Sequence, residues 1–421
     1  MKCSMFHLMP FPETPDQPPH GPNWHDAGIW VDVPNSLYDP VLGNEVYNEY
    51  LDEMELAERV GFDGVAVNEH HQNVYGTMPS PNIMLAMLAR RTHRVNLITL
   101  GSSIALYNPA IRVAEEMAML DVISGGRLVA GFPVGTSQDT NYCYGVPPAT
   151  LRERYYEAEE LIIKAWTQPG PFAFHGKYNQ LRWVNPWPRP IQQPHPPVWV
   201  PGGGSVETWD WTIKKDYVYA ALSFGGYKRA SQTLDGYWSR VHEMGAEDNP
   251  YRVAFIQLVL VSESAEQAKK DYEEGVLYFY HRLLGSVGRR FPEAPGYRTE
   301  RSIREGFARS AALPQTAATA GGQTRMKGAG PSWEDLIEEG NIIVGSPDQV
   351  AEQLRKAMGG IRVGQLLALL QIGAMRREKA MKNIELFGTQ VIPQLRDMWP
   401  DWEDRWSPQP LESRVTPAAL A

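Results

Sequence analysis

The chain has 421 residues, 43% hydrophobic and 21% charged, with a formal net charge of −9; that acidity, with no Lys- or Arg-rich run, argues against a nucleic-acid partner. Its two cysteines, Cys3 and Cys143, exclude a disulfide framework and a thiolate metal cluster. The opening MKCSMFHLMPF is too short and too interrupted for a signal peptide or membrane anchor, and no later stretch reaches spanning length, so a soluble cytoplasmic protein with no membrane partner is expected.

In chain order, apolar runs of strand character alternate with helical periods. CSMFHLMPF reads as a first strand, and Pro12 to Pro40 as a long loop. Over EVYNEYLDEMELAERVG, the residues Val46, Tyr50, Met54, Ala57 and Val60 recur on one helix face, and Gly61 stops the helix. FDGVAVNE is a short buried strand. SPNIMLAMLARRTHR opens with Ser80 as N-cap and Pro81 as first helical residue, and closes on basic side chains. VNLITLGSSIAL is the third strand. PAIRVAEEMAMLDVISGG is the third helix, with Ile111, Ala114, Met117 or Ala118, and Leu120 or Asp121 facing inward. RLVAGFPVG gives a fourth strand and ATLRERYYEAEELIIKAWT a fourth helix. After a Pro- and Trp-rich excursion, PVWVPGGG is strand five with a helix from Ser205, and DYVYAALSF is strand six with a helix over 228–244. YRVAFIQLVLVS is strand seven with a helix over 264–283, and GQLLALLQIG is strand eight before a last helix over 376–398.

Eight strand–helix units in series predict an α/β fold, a closed (β/α)8 TIM barrel with insertions in its loops, rather than an open sheet. Runs without alternation, such as LLALL, fit strands buried on both faces. One domain is expected over 1–400, with insertions at about 171–197 and 285–340, and a tail over 401–421. Residues 285–340 fit no unit. TAATAGGQTRMKGAGP is too poor in apolar residues to fold alone, and the segment reads either as a surface insertion or as a lid over the barrel mouth.

In such a barrel the active site lies at the C-terminal ends of the strands. The candidates are therefore Asn68 to Gln72, Ser102 and Ser103, Pro133 to Thr140, Gly202 to Thr208, Ser223 to Gly225, and Gln371 to Gly373. In NEHHQ the adjacent His70 and His71 point to opposite faces of an extended strand. The chain has 10 histidines but no H-x-H, H-E-x-x-H or C-x-x-C, so no metal is expected. The stretch reads either as strand-end polar groups satisfied by backbone, or as one inward ring able to donate a proton. In PGGGSVET, Gly203 and Gly204 let backbone approach a ligand, and Ser205 and Thr208 lie one turn apart at a helix start. That stretch reads either as a plain capped helix or as a seat for a mononucleotide phosphate; it is neither a Walker loop nor G-x-G-x-x-G. In LRERYYEAEEL, Arg152 and Arg154 stand where the helix dipole disfavours cations, which invites a nearby carboxylate or a ligand phosphate.

GFDGVAVNEHH, NPAIRVAEEMAMLDVISGGRLVAGFPVG, YGVPPATLRERYYEA, PGGGSVET and GSPDQVAEQL resemble, in that order, the luciferase-like flavin-dependent monooxygenases, relatives of the bacterial luciferase α-chain, from about residue 2 to 395. The resemblance implies a (β/α)8 barrel, usually dimeric, that uses reduced FMN supplied by a separate NAD(P)H:flavin reductase; some relatives use coenzyme F420. It implies that the first histidine of EHH, His70, is catalytic, with Glu69 orienting a neighbour and His71 in a structural role. Arg152 would bind the flavin phosphate with Ser205 and Thr208 as its hydroxyl pair, and Ser102, Gly203 and Gly204 complete the expected cofactor set. Two positions depart from the family: a further phosphate-binding arginine falls on Val134 and a reactive cysteine on Pro133. Arg152 and the helix N-terminus must then do more, and bioluminescence is not expected. The implied reaction is oxygenation of a small apolar or aromatic substrate by O2 activated at C4a of reduced FMN. F420-dependent hydride transfer and a flavin-binding protein without turnover are the alternatives. Tyr107, Trp183, Trp187 and Phe224 are candidates to line the substrate pocket.

Overall fold

Runs such as VAFIQLVLV form strands whose side chains alternate between two apolar environments, the inside of a barrel and the layer beneath its helices. The computed structural model describes residues 1–14, 33–135, 138–284, 299–311 and 330–411. Its strands are β1 (Lys2–His7), β2 (Gly64–Val67), β3 (Asn96–Thr99), β4 (Leu128–Gly131), β5 (Phe172–His175), β6 (Gln180–Val184), β7 (Val198–Gly202), β8 (Val218–Ala221), β9 (Val253–Val261), β10 (Ile342–Gly345) and β11 (Gln365–Leu369). Eight of them close into a parallel barrel in the order β1–β2–β3–β4–β7–β8–β9–β11, with Ser4 opposite Gly64 at one side of β1 and Lys2 opposite Gln365 at the other. This is the (β/α)8 barrel that the alternation predicts. Phe6, Ala66, Ile98, Val129, Trp199, Ala220, Ile256 and Leu369 fill its inside. Their strand neighbours Met5, Val65, Leu97, Leu128, Val200, Tyr219, Phe255 and Ala368 pack outward.

The helices are α1 (Pro40–Arg59), α2 (Pro81–Arg91), α3 (Ile111–Ser124), α4 (Gln138–Cys143), α5 (Leu151–Thr167), α6 (Val206–Lys215), α7 (Gly226–Glu243), α8 (Ala265–Tyr278), α9 (Glu300–Ala311), α10 (Trp333–Glu338), α11 (Pro347–Gly360), α12 (Arg377–Leu386) and α13 (Ile392–Leu395). α1 buries Val46, Tyr50, Met54 and Ala57, as its spacing predicts, while Val60 falls at the half-buried C-cap. Ser80 is the N-cap of α2, ahead of Pro81, but its side chain makes no capping bond. α3 buries Val113 and Ser124 beside the expected Ala114, Met117, Ala118, Leu120 and Asp121, and Ile111 is half-buried. It ends at Gly125, whose φ of 72° is the left-handed conformation that favours glycine.

Several stretches hold elements that the periodicity does not reveal, among them α4, and α9 and α10 within residues 285–340. The excursion at 171–197 contains the antiparallel hairpin β5–β6. Glu157 on α5 anchors it by accepting the backbone N–H groups of Lys177 (2.6 Å), Tyr178 (2.9 Å) and Asn179 (2.6 Å). Residues 341–363, ahead of strand eight, contain β10 and α11, and Ser346 and Gln349 cap α11 reciprocally. β10 continues the edge of the long β9 where β8 stops: Val253 to Phe255 pair with β8, and Leu258 to Val261 with β10. Of the 285–340 segment, residues 285–298 and 312–329 lie outside the described residues, and the choice between insertion and lid lies there with them. Residues 15–32 and 412–421 also lie outside. Residues 401–411 rest against the N-terminal ends of the strands, where Trp406 Nε1 donates to Asp216 O (2.8 Å) and Gln365 Nε2 to Asp404 Oδ2 (3.1 Å). Among the described residues, no helix is long and apolar enough to cross a membrane.

Buried polar groups tie the helices to the barrel. The Glu58 carboxylate accepts the backbone N–H groups of His93 (2.8 Å), Arg94 (2.7 Å) and Val95 (3.1 Å), which lead into β3. Burial alone would raise its pKa, but these N–H groups together hold it below the ordinary carboxylate range. A depressed folded-state pKa means stability that is present above the unfolded value, about 4.3, and lost as pH falls through the folded value. We expect Glu58→Gln to cost about 1–2 kcal/mol at neutral pH, with the difference from wild type shrinking below about pH 4; urea melts across that range check it.

Candidate active site

The end of β2 carries the first group of candidates. Ala66 belongs to the inner layer, and Asn68 follows at the same parity. Glu69 and His71, two residues apart on the extended chain, are both buried and meet: Glu69 Oε1 lies 2.8 Å from His71 Nε2. The other carboxylate oxygen accepts the Ser103 N–H at 3.0 Å, which joins the ends of β2 and β3. His70 stands apart from this pair. Its backbone N–H donates to Met78 O (3.2 Å), and its ring meets Tyr75 edge-on at 4.7 Å between centroids. A Cβ on Gly76 would approach that ring to 3.2 Å, a tight contact that would press on His70. Tyr75 in turn packs on Phe279 (6.1 Å) and Phe224 (6.3 Å), forming an aromatic wall. The neighbour that Glu69 orients is thus His71 and not His70.

Tyr107 and Tyr144 extend the Glu69–His71 pair. Tyr144 meets the His71 ring edge-on at 4.9 Å and Tyr107 at 5.9 Å. Burial, and then the adjacent Glu69 carboxylate, push the Tyr107 phenol well above its ordinary pKa, and the hydroxyl hydrogen-bonds to that carboxylate. Of the four aromatics expected at the pocket, Tyr107 and Phe224 lie at the strand ends. Trp183 and Trp187 do not: on and just beyond β6 they are 70% and 86% exposed. Aromatic density alone could not tell the outer hairpin from the mouth.

The second group lies where β7 runs into α6. Arg152 Nη2 donates to Ser205 Oγ at 3.2 Å, and Nη1 reaches Tyr156 Oη at 3.5 Å. A Cβ at Gly203 would meet open space, whereas one at Gly204, with φ +106°, would lie 2.9 Å from the Thr233 methyl. Ser205 is the N-cap of α6 and Thr208 is buried, its methyl beside Gly202. Glu207 is an unanticipated member. Its carboxylate accepts from Ser205 Oγ (2.8 Å) and from the hydroxyls of Thr299 and Ser302 at the start of α9. Burial opposes its ionisation, but the Ser302, Thr299 and Ser205 hydroxyls hold its pKa down to about 2. Ser102 is buried, and its N–H donates to Gly131 O (2.8 Å), a backbone tie between β3 and β4. Val134 is buried and supplies no cation, and Arg154 lies over the Tyr178 ring at 4.4 Å. Among the described residues no group of three metal-ligating side chains occurs.

Among the described residues, the buried acceptors without a hydrogen-bond partner include Asn68 Oδ1 after β2 and Gln371 Oε1 after β11. Both can accept a hydrogen bond from a donor brought to the mouth.

A family model described as luciferase-like monooxygenase matches residues 24–361. Over 359 residues the chain is 27% identical to 4-hydroxyprotoasukamycin monooxygenase of Streptomyces nodosus subsp. asukaensis, which covers 81% of this chain and 85% of that protein. Over 156 residues it is 35% identical to F420-dependent glucose-6-phosphate dehydrogenase of Kineococcus radiotolerans, 35% of this chain and 44% of that protein. Matches of higher identity, this one among them, span under half of the relatives' own length. The fold is similar to that of the oxygenating constituent of 3,6-diketocamphane monooxygenase from Pseudomonas putida in complex with FMN. The TM-score is 0.64 at 20% identity, over 83% of this chain and 93% of that one.

Proposed function

We infer the function from one premise, that the chain belongs to the luciferase-like monooxygenase family. The reading is a monooxygenase that takes reduced FMN from a separate reductase and uses O2 to oxygenate a small apolar or aromatic molecule. One observation supports it: the C-terminal end of a single barrel holds His70 against Tyr75, the bonded Glu69–His71 pair, and Arg152 bonded to Ser205, which together suit a proton donor and an anion.

The residues fit such a cofactor. Arg152, the Ser205 hydroxyl and the N-terminal end of α6, whose helix dipole favours an anion, suit a phosphate, and Gly203 leaves room beside them. Asn68 Oδ1 and Gln371 Oε1 are acceptors for the N–H groups of a flavin ring edge. The reduced flavin, when bound, supplies the electrons that activate O2. The chain's own part is to exclude water and handle protons. Leu8, Leu100, Trp199 and Leu369 make a dry floor, and Tyr75, Phe224 and Phe279 a dry wall. His70, held between Tyr75 and Gly76, is assigned as proton donor to the reacting oxygen. Glu69 fixes the His71 ring at Nε2 and the Ser103 N–H beside it.

Arg152→Ala is expected to weaken FMN binding about tenfold or more, the scale of a lost charge-assisted hydrogen bond. Fluorescence quenching by oxidised FMN measures it, and an unaltered dissociation constant contradicts the assignment. The function as a whole is tested with reduced FMN, O2 and a panel of aldehydes, ketones and aromatics. Substrate-dependent oxygen uptake with one oxygen atom in the product is expected. The 35% local identity to an F420-dependent dehydrogenase supports a second reading, hydride transfer without O2. Anaerobic reduction of a substrate by reduced F420, with no oxygenation by reduced FMN, would favour it.

A further inference from the structure

The geometry points to Glu207 as the residue that sets how strongly the grip at Arg152 holds a phosphate, by standing in for that anion and competing with it. The inference rests on the reading of Arg152 and Ser205 as the phosphate grip. Three hydroxyls and one guanidinium converge at the start of α6. Ser205 Oγ donates to Glu207 Oε2 at 2.8 Å and accepts from Arg152 Nη2 at 3.2 Å. Ser302 Oγ donates to the same carboxylate oxygen and lies 3.2 Å from Ser205 Oγ, and Thr299 Oγ1 donates to Oε1. A hydroxyl has a single proton to give. Each of these donors can therefore serve the carboxylate or a phosphate, but not both at once.

The charges lead to the same conclusion. With a pKa near 2, Glu207 is ionised at every physiological pH. One negative charge thus stands beside the one positive charge of Arg152. Val134 is apolar and buried, and Arg154 is turned to Tyr178, so neither adds a cation. An incoming phosphate meets a grip whose charge is already matched. A plain structural role for Glu207 makes a different prediction. An acid in the first turn suits the dipole of α6, and its bonds to Thr299 and Ser302 tie α9 to α6. On that view its loss would lower the melting temperature and leave the preference for phosphate as it was.

Oxidised FMN and riboflavin differ by the phosphate alone, so the ratio of their dissociation constants, from fluorescence quenching, reads the grip directly. Glu207→Gln is expected to tighten FMN relative to riboflavin about five- to tenfold, the scale of removing one like charge at close range in water. Arg152→Ala is expected to move the ratio the other way. If Glu207→Gln leaves the ratio unchanged or lowers it while Arg152→Ala still acts, competition is overturned and the phosphate grip stands. If Arg152→Ala does not move the ratio, both are overturned. Should Glu207→Gln fail to fold, the wild type decides. A charge-matched grip keeps its preference for FMN as ionic strength rises to physiological, whereas a steep loss marks an uncompensated arginine and overturns the proposal.

Discussion

Replacing Arg127 by Met is expected to cost about 3–5 kcal/mol of stability. The guanidinium is buried at the foot of β4, and every nitrogen of it donates. Nε reaches Ser124 O (2.9 Å), Nη1 reaches Thr92 Oγ1 (2.9 Å) and Val95 O (2.8 Å), and Nη2 reaches Ala89 O (3.0 Å) and Thr92 O (2.9 Å). Those acceptors are the C-terminal ends of α2 and α3 and the turn into β3, where a positive charge also complements the helix dipoles. Burial lowers the Arg127 pKa, and the Glu58 carboxylate raises it in part. Met matches the volume but leaves five acceptors without their donor, and each unmet buried group costs about 1–3 kcal/mol before relaxation or water entry. Lys keeps the charge but has three donors on a compact ammonium, too few for this fan of carbonyls. Both variants are therefore expected to shift the urea midpoint downward, Met more than Lys. A loss under about 1 kcal/mol for Met would show that the fan is ornamental and that α2 and α3 hold by apolar packing alone.

That role also shows what the sequence could and could not convey. The GGR stretch reads as a helix end followed by a strand, and Gly125 and β4 lie where that reading puts them. The reach of Arg127 back to Ala89 spans 38 positions, and no local period encodes it. The eight barrel strands were legible because burial on both faces produces unbroken apolar runs. β10 was not, since its run is only four residues long and the helix before it, α10, has six, too few to show a period. The same contrast holds at the mouth. The two-residue alternation that separates His70 from His71 also places Glu69 and His71 on one side, and they bond there at 2.8 Å. The Glu207 cluster was hidden, because Thr299 and Ser302 lie 92 and 95 positions away in a segment whose composition says nothing about where it docks.

His70→Ala is expected to lower product formation with reduced FMN and O2 about 10²–10⁴-fold, the usual scale for a positioned acid or base, with the FMN dissociation constant near its wild-type value. The ring touches Tyr75 and faces Gly76, while the proposed phosphate grip lies at the start of α5 and α6, so its removal leaves Arg152, Ser205 and the Glu69–His71 pair in place. His71→Ala should behave differently. It strips Glu69 of its 2.8 Å partner and leaves a buried carboxylate held by the Ser103 N–H and the Tyr107 hydroxyl, so stability falls together with turnover. The ratio of product formed to oxygen consumed separates the two. Loss of a proton donor beside intact binding lets reduced flavin still consume O2, released as hydrogen peroxide, whereas a collapsed pocket loses flavin binding and product together. If His70→Ala turns over like the wild type, the ring against Tyr75 takes no part in the reaction. The chemistry would then fall to His71, the imidazole that Glu69 already holds.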